Sequence, residues 1–126
     1  MIKLYLAKPD ATKLNHNQTM YSKITEATDR DRIYSVLNAI PRGQVSSYGK
    51  VAEYAQLPNG ARLVGRTLGQ LPKGSTLPWH RVLKANGQIA FPQESAAFQR
   101  QKQLLEAEGV IVTNGKINLK MFGWQP

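Results

Sequence analysis

The chain has no cysteine among its 126 residues. That excludes disulfides, thiolate nucleophiles and cysteine-bound zinc together. It has only two histidines, His16 and His80, too few for most metal sites. No apolar run approaches the ~20 residues needed to span a bilayer. The opening MIKLYLA is short and is followed by no small-residue cleavage site, which argues against secretion. Acidic residues are scarce: eight, against seventeen Lys and Arg, for a net charge of +9. This length suits one domain with a modest core. A basic protein located in the cytoplasm, with no cofactor and no metal, is the expectation.

The charge is concentrated. Between Arg42 and Lys84 lie seven Lys and Arg and one acidic residue, Glu53. A solvated basic surface explains such an excess, and so does a polyanionic partner, either nucleic acid or an anionic membrane. The organisation of the segment favours nucleic acid.

Residues 1–27 are polar and aperiodic, and read as a disordered or loosely attached extension. From Thr28 the pattern changes. Thr28 or Asp29 caps a helix whose apolar positions Ile33, Val36, Leu37 and Ile40 recur at helical spacing, and Pro41 and Gly43 end it. A second cap at residues 45–47 precedes a short helix over 48–55. The turn Leu57-Pro58-Asn59-Gly60 leads into a third helix over 61–71, closed by Pro72-Lys73-Gly74. Two short helices about a tight turn have the layout of a helix-turn-helix. Asn86-Gly87, between Arg81-Val82-Leu83 and Ile89-Ala90-Phe91, predicts a hairpin wing. Ser95 starts a last helix with Ala97, Phe98, Leu104 and Leu105 on one face, ending at Gly109. Asn114-Gly115 predicts a small terminal hairpin within 110–119. The expected fold is mainly α with small β elements, a winged helix-like, helix-turn-helix domain over residues 28–126.

In the third helix, Val64, Leu68 and Leu71 form an inward stripe, while Arg62, Gly65, Arg66 and Gly69 share the other face. Each helical glycine costs ~1 kcal/mol relative to alanine. Two of them on a basic face serve either close helix packing or the approach of an outside backbone. Residues 77–82, LPWHRV, set His80 between Trp79 and Arg81. Indole is no nucleophile, so either the chemistry lies elsewhere or the protein recognises something without reacting with it.

IPRGQVSSYGKVA, GARLVGRTLG, LPWHRVLKANGQIAF and LLEAEGV occur in this order. Together, over roughly residues 30–110, they resemble the DNA-binding domain of the O6-alkylguanine-DNA alkyltransferases. In that family the motif is Pro-Cys-His-Arg-Val, and the cysteine takes the alkyl group. Here Trp79 holds that position, which is similar to the alkyltransferase-like proteins, binders of alkylated guanine that do not dealkylate it.

The resemblance implies a role for each matching residue. Arg62 matches a finger that fills the base stack behind an extruded nucleotide; a phosphate-contacting arginine is the alternative. Tyr48 matches the residue that turns the nucleotide out, unless it is simply a core tyrosine. Ser47, Ala61, Gly65 and Arg66 complete the DNA-binding set, with Ala61 and Gly65 letting the helix into the minor groove. Tyr48, Trp79, Val82 and Phe91 line the lesion pocket, where Trp79 either contacts the lesion or plugs the old active site. His80, Arg81 and Glu108 form a structural network; His80 and Glu108 acting as a water-activating pair is the alternative. Leu71 replaces a hinge asparagine, Leu63 replaces a smaller residue, and Ala90-Phe91-Pro92 also departs from the transferring enzymes.

The implied function is a monomeric, non-enzymatic sensor, without catalytic residues. It binds duplex DNA containing O6-alkylguanine and marks it for nucleotide excision repair proteins. Membranes have no part in this reading. A lesion-processing hydrolase and a winged-helix transcription regulator are the competing readings.

Overall fold

The computed structural model describes residues 28–126. The extension expected over 1–27 lies outside the described residues. Helix α1 is Asp29–Ala39. Of its two candidate caps, Thr28 is the one used. Its hydroxyl accepts from the Asp31 N–H, and the Asp31 carboxylate accepts from the Thr28 N–H, a capping box. Ile33, Val36, Leu37 and Ile40 are all buried, as their spacing predicts. Ile40 is extended because the residue before a proline is pushed out of the helical region.

Strand β1, Ser46–Ser47, runs directly into helix α2, Tyr48–Tyr54. The Ser47 hydroxyl caps α2 by accepting from the Lys50 N–H at 3.1 Å. Pro58 and a left-handed Asn59 (φ 59°) turn the chain, and the Gly60 N–H donates to the Leu57 carbonyl. Helix α3, Ala61–Gly69, follows. It ends two residues short of the expected 71, because Leu71 precedes Pro72. Its inward stripe is also corrected. Val64 and Thr67 are buried, and Leu63 and Leu68 pack partly against the core. Leu71 is only half-buried.

The expected pairing of the wing is overturned. Strand β2, Val82–Leu83, pairs in parallel with β1, Ser46 opposite Val82 and Ser47 opposite Leu83. The Asn86-Gly87 turn does form, closed by the Gly87 N–H to Lys84 and the Lys84 N–H to Gln88. Beyond it the chain departs to pair with the second turn, through Ile89 N–H to Gly115 and Ile117 N–H to Gly87. Gly87 permits this approach, since a Cβ there would lie 2.5 Å from the Ile117 carbonyl. The second hairpin forms as expected: Asn114 and Gly115 both have positive φ, and Thr113 and Lys116 exchange both hydrogen bonds.

Helix α4 is Ala96–Ala107, capped by Ser95 and closed by Val110 N–H to Leu105 and Gly109 N–H to Glu106. A short helix α5, Leu119–Phe122, has no counterpart in the sequence reading. It brings Phe122 and Trp124 alongside Val45, which donates to the Phe122 carbonyl and accepts from the Trp124 N–H.

Two apolar clusters result. One joins α1, α2, α3 and Val82; the other joins Val45, Leu83, Phe98, Leu105 and Ile117. Val82 and Leu83 point into different clusters because side chains alternate along a strand. The two-residue β2 therefore ties both halves together.

Candidate nucleic-acid interface

The α2–turn–α3 unit presents one face of α3 to solvent. Ala61, Arg62, Arg66 and Gly69 are exposed there. Whether the helix glycines serve internal packing is answered by their surroundings. A Cβ at Gly69 would meet nothing within 4 Å among the described residues, and one at Gly65 would touch only the Tyr48 ring at 3.9 Å. That is ordinary contact, so neither glycine is demanded by packing inside the molecule. Tyr48 opens α2 half-buried against the first cluster. Burial raises its phenol pKa, so it stays a neutral donor and acceptor. Ser47 is buried and its hydroxyl is occupied as the cap.

Trp79 begins a 3-10 turn, Trp79–Arg81, that leads into β2. Its indole is half-buried and meets the Phe91 ring edge-on at 6.3 Å and the His80 ring edge-on at 6.1 Å. Of the residues read as lesion-pocket walls, Trp79 and Phe91 are thus brought together and Tyr48 lies against α3. Val82 is buried in the first cluster.

Behind Trp79, Glu108 gathers three groups. Its carboxylate accepts from Arg81 Nε at 2.9 Å and Nη2 at 2.7 Å in a forked pair, and from the Gly43 N–H at 2.9 Å. His80 Nε2 lies 2.7 Å from Oε2. Arg81 Nη1 also donates to the Ile40 carbonyl at 2.7 Å. The network thereby fastens the C-terminus of α1, the following loop, the Trp79 turn and the end of α4 to one another. Burial works against ionisation of Glu108, but Arg81, the Gly43 amide and His80 outweigh it and lower its pKa to about 2. A carboxylate so fully engaged is a poor proton acceptor.

One residue of this support was missed. Gln101 on α4 is 1% exposed, and its Nε2 donates to the carbonyls of His80 and Val82 at 2.9 and 3.0 Å. It pins both ends of the segment following Trp79. The available signal was a glutamine at helical spacing between buried Phe98 and Leu105, a polar group in an apolar stripe. Gln101→Leu should leave both carbonyls unpaired, at ~1–3 kcal/mol each. Loss of Oε1, which has no partner among the described residues, offsets part of that. A net destabilisation of about 2 kcal/mol in urea unfolding is expected.

Arg42 is turned to a structural use, donating to the Ala107 carbonyl near the end of α4. Lys50 pairs with Glu53 at 3.4 Å in an exposed contact. Among the described residues, no group of three or more His, Asp or Glu could hold a metal ion. No helix among them is long and apolar enough to cross a membrane.

Known proteins resemble this chain in sequence and in fold. Residues 28–110 match the family model of the 6-O-methylguanine DNA methyltransferase, DNA binding domain. A DNA base-flipping protein of Vibrio parahaemolyticus is 48% identical over 96 residues, 75% of this chain and 94% of that protein. Alkyltransferase-like protein 1 of Schizosaccharomyces pombe is 39% identical over 100 residues, 75% of this chain and 93% of the relative. The crystal structure of S. pombe Atl1 in complex with damaged DNA containing O6-carboxymethylguanine superposes with a TM-score of 0.72 at 38% identity. That match covers 78% of this chain and 95% of the other. A cysteine-free helix-turn-helix chain with these relatives belongs to the 6-O-methylguanine DNA methyltransferase DNA-binding family, as an alkyltransferase-like member.

Proposed function

We propose that the protein is a non-enzymatic sensor that binds O6-alkylguanine in duplex DNA and holds the damaged nucleotide out of the helix. The observation that carries this reading is the outer face of α3, where two arginines flank glycines that internal packing does not require. A helix with its side chains is roughly 10–12 Å across, whereas the minor groove of B-DNA is only about 6 Å wide. A face reduced to Ala61, Gly65 and Gly69 lets the backbone sit closer to a widened groove than larger side chains would. Arg62 then fills the vacated stack, its planar guanidinium both stacking and hydrogen-bonding. Tyr48, at the start of α2, crowds the nucleotide into rotation. The extruded base lies against Trp79 and Phe91. Flipping costs a few kcal/mol, less for a weakly paired lesion, so the damaged pair itself supplies part of the selectivity. The bound lesion is then left in place for nucleotide excision repair.

The His80–Glu108 pair is the observation that would favour a hydrolase, because it has the spacing of a base and its orienting carboxylate. The Arg81 fork on the same carboxylate argues for a brace instead. The two readings separate in one experiment. Guanine and O6-alkylguanine duplexes of one sequence are titrated, then incubated at length and analysed by mass spectrometry. Tighter binding to the lesion with protein and DNA masses unchanged is expected. Released base, released alcohol or strand scission would establish the hydrolase. Equal affinity for both duplexes would favour a sequence-reading regulator.

Trp79→Cys should not restore alkyl transfer at an enzymatic rate. The substitution supplies a thiol beside His80, but attack also needs the substrate carbon held ~3–3.5 Å from sulfur. Removing the indole deletes the edge contact with Phe91 that shapes this wall. A misplacement of ~1 Å costs ~100-fold in rate. Intact-mass kinetics should show no adduct or a very slow one. Rapid stoichiometric transfer would show that Trp79 alone separates sensor from enzyme.

A further inference from the structure

The second apolar cluster carries an open groove of about 620 Å³ that shares no residue with α2 or α3. Its apolar lining includes Ile111, Leu119, Met121 and Phe122, and Lys116 and Lys120 add positive charge. Ile111 is 61% exposed and Met121 66% exposed. Among the described residues these are the large hydrophobic side chains left in solvent, and both line this groove. Singly exposed apolar residues need no explanation; two that converge on one concave site do. Methionine is flexible and polarizable, suited to adaptable docking surfaces.

The geometry points to a docking groove for an acidic amphipathic helix of a partner protein. Apolar positions on one helix face would cover Ile111, Leu119 and Met121, with flanking carboxylates meeting Lys116 and Lys120. Charge selects this occupant over the others. No acidic side chain lines the groove among the described residues, and the chain as a whole carries +9. A second copy of the chain joined by a two-fold would bring lysines towards lysines. DNA phosphates would satisfy the lysines but leave Ile111 and Met121 uncovered. A bilayer surface does not fill a concavity. Lys116 is already bridged to Gln88 and Thr113, so capture runs through side chains rather than through strand addition. None of the residues that line the groove belongs to α2 or α3. This inference stands apart from the lesion reading, since the peptide titration that decides it contains no DNA.

The probe is a labelled synthetic amphipathic helix, leucine on one face and glutamate on its flanks, titrated against the full chain by fluorescence anisotropy. Its scrambled isomer and a lysine-flanked version are the comparisons. Binding confined to the glutamate peptide is expected, weakened at least about tenfold by Met121→Glu and by Ile111→Glu. Both positions are exposed, so thermal melts and DNA affinity should be retained. No binding of the glutamate peptide, equal binding of the lysine-flanked one, or indifference to both substitutions would overturn the assignment. So would self-association in sedimentation, or attachment to phosphatidylserine vesicles, that Met121→Glu abolishes while the peptide does not bind.

Discussion

Glu108→Gln should destabilise the protein by about 3 kcal/mol, at the lower end of the range for breaking a buried ion pair from one side. The Glu108 side chain is 5% exposed, and its forked contact with Arg81 is the main compensation for burying that guanidinium. The amide keeps the shape and loses the charge. The same contacts lower the Glu108 pKa from 4.5 to about 2, which is of the same order, about 3 kcal/mol. For a domain of this size, that is roughly 12–24 °C in Tm.

The pH dependence identifies the cause. A carboxyl held below its unfolded value stabilises the fold fully above that value, and the contribution disappears as the folded-state group protonates. The wild-type advantage over Glu108→Gln should therefore be complete above pH 4.5 and shrink as pH falls towards about 2. Urea unfolding of both proteins across this window is the measurement. A gap that is constant with pH would mean the loss is one of packing, not of charge.

Arg62→Ala should show the opposite profile: a large loss of binding with no loss of stability. Arg62 is exposed on α3, so its removal should change unfolding by no more than about 0.5 kcal/mol. Affinity for an O6-alkylguanine duplex should fall about 10- to 100-fold, the equivalent of ~1–3 kcal/mol for one stacking partner in a vacated base position. Lys84 is also exposed but lies at the Asn86-Gly87 turn. If Lys84 meets only phosphate, Lys84→Ala should reduce the slope of log affinity against log salt by about 1 and leave lesion preference unchanged. Titrations of both variants at several salt concentrations separate the roles. Equal, small effects would remove Arg62 from the base stack.

The features readable in the chain were those decided within a few residues. Thr28, Ser47 and Ser95 announce helix starts because a cap bonds to an amide two or three positions on. Ile33, Val36, Leu37 and Ile40 announce a buried face because helical period alone aligns them. Asn114-Gly115 specifies its turn because both residues accept positive φ. Asn86-Gly87 carried the same signal, and its local turn formed, yet the partner of Val82–Leu83 was misread. Which strand pairs with which depends on distant segments, and Ser46–Ser47 has no strand signature before it meets Val82.

Charge concentration, the missing cysteine and the spacing of Arg62, Gly65, Arg66 and Gly69 were complete in the sequence, and they were enough to point to nucleic acid. Composition and local spacing exist before folding, so folding could not alter them. The union of Glu108 with Arg81, His80 and the Gly43 amide was decided only by tertiary structure, as were the burial of Gln101 beneath the Trp79 turn and the exposure of Ile111 and Met121. Each depends on which surfaces the two clusters bury against each other, a property of the packed chain that no single stretch of it contains.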